Sequence, residues 1–234
     1  TTARLHWVAW APDTFARVVV TAGPDRVVPH SELKRALDEL HAAAGQVERV
    51  YIYAPIERLK RIEILDTPGF NAIDAQHAQE AQRGVHEAHV ALWLLDANAP
   101  LKDSERRVLE DVAAAGVPIQ VMVNKADRVG AAGIERVMDY VTRALDSVGI
   151  VSLCPPVAMS ARLALQGRLG DSDALAASGW ADVEALLSHH IVDRRDELRE
   201  RALRRKAAAL AADLANAAQQ RAHVDRERQR ATRL

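Results

Sequence analysis

Between His89 and Met159 the chain alternates in a way that few folds accommodate. Apolar runs at 89–96 ("HVALWLLD"), 117–123 ("VPIQVMV") and 154–159 are separated by segments of helical length at 103–115 and 133–148. Strands joined by helices run parallel, because a tight turn can only reverse the chain, and the helix of each crossover covers one face of the sheet. Parallel sheets are buried on both faces, which accounts for the largely apolar character of these runs. The expected fold class is therefore α/β, with a doubly wound, mostly parallel sheet.

The flanking segments extend this frame. Residues 3–10 and 16–21 read as strands separated by the turn formers Pro12 and Asp13, which predicts a hairpin. Ser31 suits a helix N-cap and Gly45 a stop, with Leu33, Ala36, Leu37 and Leu40 on one face. Two strand-like runs flank Pro55 within 47–66, and a helix is expected over 74–88. Residues 167–179 read as a polar, glycine-containing loop. From Ala181 to about Ala222 there is neither proline nor glycine, which predicts one long helix or two nearly continuous ones. Val183, Leu186, Leu187, Ile191, Leu198, Leu203, Leu210 and Leu214 form its apolar stripe. The expected division is a globular domain over 1–180 and a helical segment over 181–234 that begins a stalk or bundle.

Charge and cysteine content narrow the function classes. A formal net charge of -1 gives no global attraction to nucleic acid or to an anionic membrane, and no nucleic-acid partner is expected. The arginines near 194–206 are interleaved with acidic residues, as on a solvated helix face. The single cysteine, Cys154, has no disulfide partner and reads as a buried thiol. His189 and His190 lack further ligands at metal spacing. With no apolar run of membrane-spanning length and no signal-peptide order at the N-terminus, a cytoplasmic location is expected.

Ligands of open α/β sheets bind beyond the carboxyl ends of the strands. Three predicted strands end there on polar signatures: Asp66-Thr67-Pro68-Gly69, Asn124-Lys125-Ala126-Asp127 and Ser160-Ala161. Each alone is compatible with ordinary turn chemistry. Turn chemistry does not account for all three, in this order, each at a strand end.

The three together resemble the DxxG, NKxD and SA motifs of the phosphate-loop GTPases. That resemblance implies that Asp66 holds Mg²⁺ through water and that Gly69 donates its backbone N–H to the γ-phosphate. Asn124 and Asp127 would read the guanine base, Lys125 would lie over the nucleotide ring, and Ser160 with Ala161 would support the base contact. The chemistry agrees: a carboxylate accepts from two adjacent N–H donors, which guanine offers at its Watson–Crick edge and adenine does not. Asp127 would therefore select GTP over ATP.

A narrower resemblance is to bacterial dynamin-like GTPases, carried by "ILDTPGFNAIDAQHAQEAQRGVHEAHVALWLLDANAPLKDSE". "TTARL" is similar to that family's switch region, with Thr2 as the Mg²⁺ ligand. The resemblance implies GTP and Mg²⁺ as cofactors and in-line attack by water on the γ-phosphate, with Thr2 and Gly69 as catalytic residues. It further implies self-association across the nucleotide face and membrane remodelling. Lipid contact would lie outside this chain, at the inner face of a bacterial cell membrane.

One family element is missing. The phosphate-cradling loop, GxxxxGK followed by Ser or Thr, does not occur, and none of the five lysines follows a glycine. Little hydrolysis is therefore expected of these residues alone. The loop and its central strand are expected upstream of Thr1, since neighbouring strands would otherwise keep unpaired backbone groups. The alternatives are a pseudo-GTPase scaffold that binds guanine nucleotide without hydrolysis, and a ribosome- or RNA-associated GTPase.

Overall fold

The computed structural model describes residues 5–42, 47–67 and 83–231, with side-chain surroundings through 222. The chain divides into two compact units, Thr1–Arg195 and Asp196–Leu234.

The first unit is built on two sheets. One contains β1 (His6–Trp10), β2 (Phe15–Val20), β3 (Arg26–Pro29), β4 (Val47–Ala54) and β5 (Ile64–Asp66), in the order β3-β2-β4-β1-β5. The predicted hairpin between the first two strands does not form. The eight-residue β4 lies between them, antiparallel to β2 and parallel to β1. It satisfies backbone groups along both of its edges, where a two-stranded ribbon would satisfy one. α1 (Leu33–Ala42) covers one face, packing Leu33 and Leu40 against Ala16, Val18 and Val50. Ser31 does not cap it. It sits in a 3₁₀ turn, His30–Glu32, entered from Pro29 without a side-chain cap. Gly45 lies outside the described residues. Trp7 is buried, whereas Trp10 is exposed beneath the ammonium of Lys60, 4.9 Å from its ring centre.

The other sheet contains β6 (Ala91–Asp96), β7 (Ile119–Asn124) and β8 (Val157–Ala158), all parallel as expected, with β7 in the centre. α2 (Asp103–Ala114) and α3 (Ala131–Ser147) make the crossovers. Ile119, Val121 and Val123 point to one face and pack with Leu109, Val112, Val141 and Leu145. Met122 points to the other face and joins Met159 and Val183. Both faces of β7 are thus covered, as its largely apolar run requires. Trp93 belongs to the first of these cores, as its place in an apolar run suggested. Gln120, fully buried, accepts from the Cys154 backbone N–H at 3.0 Å and donates to the Val121 carbonyl at 3.0 Å.

A helical turn at 83–87 packs against both sheets. Gly84 lies so close to β5 that a Cβ there would meet Thr67 Cγ2 at 2.7 Å and Leu65 Cδ2 at 3.5 Å, while the adjacent Val85 joins the core of Trp93 and Leu95. β5 pairs only with β1, and β6 only with β7, among the described strands. Their apolar side chains Ile64, Leu92 and Leu94 are exposed.

Residues 167–179 are not a loop. α4 (Ala161–Arg168) and α5 (Ser172–Ala177) form a tight pair, followed by α6 (Trp180–Leu186), a π-helical turn over Leu187–Val192, and α7 (Arg195–Ala231). Gly167 is a contact residue, since a Cβ there would fall 2.7 Å from the Leu175 Cα. The long segment is thus two helices separated by a π-helical turn, one of the two forms expected. In the second unit its apolar stripe is buried at Leu198 but exposed at Leu203, Leu210 and Leu214. No described helix is long and apolar enough to cross a membrane.

Candidate functional site

Because β6, β7 and β8 are parallel, their carboxyl ends lie on one edge, and Asp96 faces Asn124 directly in register. The three strand ends are tied together there through the backbone. Ala97 N–H donates to the Asn124 carbonyl at 2.9 Å, and Ala126 N–H to the Met159 carbonyl at 3.0 Å. The Asn124 side-chain oxygen accepts from Lys125 N–H at 2.7 Å and from Ala161 N–H at 3.0 Å. That oxygen bridges the Lys125 and Ala161 loops.

Lys125 adopts a left-handed conformation (φ 65°), which an L residue reaches at a cost of about 1–2 kcal/mol. Its ammonium is held by Asp96. Asp96 also accepts from Asn98, from the backbone N–H at 3.0 Å and from the side-chain amide at 2.9 Å. The Lys125 ammonium first, and Asn98 second, hold the Asp96 carboxyl well below the usual carboxylate range.

Asp127 lies in the 3₁₀ turn Ala126–Arg128, and its side chain is only 12% exposed. The Ser160 hydroxyl, then the Arg162 guanidinium, lower its carboxyl below the ordinary value. Arg162 places two N–H groups on one oxygen, with Nη2 at 2.9 Å and Nε at 3.3 Å from Asp127 Oδ2. Ser160 is itself fixed. It is 1% exposed, its N–H donates to the Ser178 carbonyl at 2.8 Å, and its Oγ caps α4 by accepting from Leu163 N–H at 3.2 Å.

The arrangement therefore presents amide donors, a cation and an ionised carboxylate at one strand edge. Of the residues singled out in the sequence, it brings together Asn124, Lys125, Asp127, Ser160 and Ala161. Asp66 ends β5 in the other sheet, exposed and opposite His6. Burial pushes the His6 imidazole below its usual value, against the opposing pull of Asp66. No described hydrogen bond or ion pair joins Asp66 to the other group. Thr2 and Gly69 lie outside the described residues. Among those described, no three His, Cys, Asp or Glu side chains could hold a metal. As a single exposed carboxylate, Asp66 fits only a cation that keeps most of its ligands as water or phosphate oxygens. A groove of about 770 Å³ between α2 and α3, lined by Leu101, Arg106, Arg136 and Tyr140 among others, includes none of the strand-end residues.

Sequence reasoning missed two members of the site. Asp96 ends a parallel strand, as Asn124 does, so the strand-end rule could have found it. Arg162 follows Ser160-Ala161 on the first turn of α4, where nothing in the sequence distinguishes it from other surface arginines.

A family model, the elongation factor Tu GTP binding domain, matches residues 39–223. An uncharacterized protein in the xynA 3' region of Caldicellulosiruptor sp. (strain Rt8B.4) is 22% identical over 172 residues, covering 71% of this chain and 42% of its own length. Dynamin-like protein 2 of Campylobacter jejuni (strain 81-176) is 27% identical over 135 residues, covering 57% of this chain and 22% of its own. The chain thus spans less than half the length of these curated relatives. A solved structure, described as an oligomerised bacterial dynamin pair that provides a mechanism for long-range sensing and tethering of membranes, is similar with a TM-score of 0.63 at 16% identity. The match covers 87% of this chain and 32% of that one. At that identity the likeness shows the fold.

Proposed function

Since the chain belongs to the elongation factor Tu GTP-binding domain family, we propose that the ends of β6, β7 and β8 hold the guanine base of GTP and GDP. The observation that carries this reading is the bridging oxygen of Asn124, which ties Lys125 to Ala161 and so sets the NKxD and SA segments against each other. Asn124 would donate its amide to the acceptor edge of the base. Asp127 would accept the two N–H groups that guanine offers and adenine lacks. Lys125, clamped by Asp96, would lie over the ring.

Bound Mg²⁺ would supply charge neutralisation at the phosphates, with Asp66 and Thr2 as the residues nearest it. Gly69 would contact the γ-phosphate through its backbone. The β5 and β6 edges, each with one described neighbour and exposed apolar side chains, fit the insertion of a further strand carrying a phosphate loop.

Within the family, the reading is the GTPase domain of a dynamin-like protein, with residues 1–180 as that domain and 181–234 as the start of its stalk. The similarity to Campylobacter dynamin-like protein 2 and to the membrane-tethering dynamin pair supports it. GTP-dependent self-association, GTP hydrolysis and peripheral action at the inner face of a cell membrane follow as parts of the same proposal.

The test is nucleotide binding and turnover by the complete protein, with and without liposomes. GTP is expected to bind at least tenfold more tightly than ATP. The Asp127→Asn variant is expected to lose that preference and to gain affinity for xanthosine triphosphate, whose C2 carbonyl can accept from the new amide. Equal binding of ATP and GTP by the unmodified protein overturns the reading. Guanine binding without turnover replaces it with the scaffold alternative.

A further inference from the structure

The carboxylate assigned to base recognition already has a partner whose donors match those of guanine. Arg162 Nη2–H and Nε–H form a side-by-side pair, as guanine N1–H and N2–H do, and both converge on Asp127 Oδ2. A guanidinium is planar, always charged and presents its donors in a rigid fork, so it is a close chemical likeness of the guanine edge. With the pair formed, the Asp127 side chain is 12% exposed, whereas the Arg162 side chain is 60% exposed. The arginine is the more exposed member of the pair. One turn further along α4, Gln166 Oε1 accepts from Arg162 Nη1 at 3.3 Å, which gives the guanidinium a second foothold away from Asp127.

We propose that Arg162 is an internal competitor of the guanine base, occupying the oxygen of Asp127 that the base must take and setting how tightly and how fast the site engages a guanine nucleotide. This rests on the reading that Asp127 recognises guanine. The division of labour follows from thermodynamics. Breaking the Arg162–Asp127 pair weakens any nucleotide whose base must displace the arginine, so Arg162 sets absolute affinity. What the base then offers the carboxylate sets selectivity, and that belongs to Asp127. The competition is modest, because a pair with one exposed member contributes about 0–1 kcal/mol, corresponding to at most about a fivefold change in affinity.

The experiment measures GDP affinity and association rate for the complete protein and for its Arg162→Ala, Arg162→Lys, Asp127→Asn and Arg162→Ala/Asp127→Asn variants. Ser160 still caps α4 in the arginine variants, so folding is preserved, which circular dichroism checks. Arg162→Ala is expected to tighten GDP binding about threefold to fivefold, chiefly through faster association. Arg162→Lys, which keeps the charge but loses the fork, is expected to fall between it and the unmodified protein. The gain is expected to vanish in the Asp127→Asn background, the coupling that identifies a direct pair. Unchanged or weaker GDP binding by Arg162→Ala, with Asp127→Asn still losing guanine preference, overturns the competition and leaves base recognition standing. Retention of guanine preference by Asp127→Asn overturns both.

Discussion

Three donors converge on the Asp96 carboxylate, the Lys125 ammonium and the two N–H groups of Asn98. Asn98 fixes the carboxylate that clamps Lys125, whose backbone occupies the left-handed region. Replacing Asp96 with Ala is expected to release the lysine and weaken GDP binding by the complete protein about threefold to tenfold, with the preference over ADP retained, as read by titration calorimetry. Asp96 and Asp127 also shape the acid limb of stability. Both carboxyls titrate below their ordinary values in the folded chain. Their stabilisation is therefore complete above the usual carboxylate range and is lost as pH falls towards the folded-state values. Melting temperature is expected to drop on acidification below about pH 4, and Asp96→Asn to flatten part of that slope. At this scale the sequence was readable where a residue type met a strand end, as at Asn124, Asp127 and Ser160. It was silent on Arg162, which meets Asp127 across 35 positions of sequence.

Among elements, the alternation over 89–159 was legible because the central strand, β7, is buried on both faces and the strands are connected through amphipathic helices. The hairpin expectation failed for a different reason. The partner of β1 and β2 is β4, and that pairing depends on long-range hydrogen bonds that local turn residues do not encode. Gly167 misled in the opposite direction, read as part of a loop when it serves contact between α4 and α5. A Gly167→Ala substitution would place Cβ 2.4 Å from Leu175 Cβ. The two helices would have to part, at a cost of about 1–3 kcal/mol, even though alanine is the better helix former. The expected result is a melting temperature lower by about 2–4 °C per kcal/mol in a chain of this size. An unchanged or raised melting temperature would show that α4 and α5 adjust freely.

Across the molecule, stability is expected to be uneven. β7 is hydrogen-bonded on both sides and covered on both faces, with Val121 and Val123 fully buried. Every residue of α7 from 206 to 222 is exposed. Native-state hydrogen exchange is expected to be slowest at Ile119–Val123 and to quicken along α7 beyond Lys206. Equal protection along the whole helix would contradict the burial pattern.

Ser160 joins the rigid part of the molecule to the proposed base site. Its hydroxyl oxygen starts α4, and its hydroxyl hydrogen is available to Asp127. Over evolutionary time these two jobs cannot drift apart. A lineage that altered its base preference by changing position 160 would first need another cap for α4, so a shift in specificity would leave its mark in the scaffold as well as in the site.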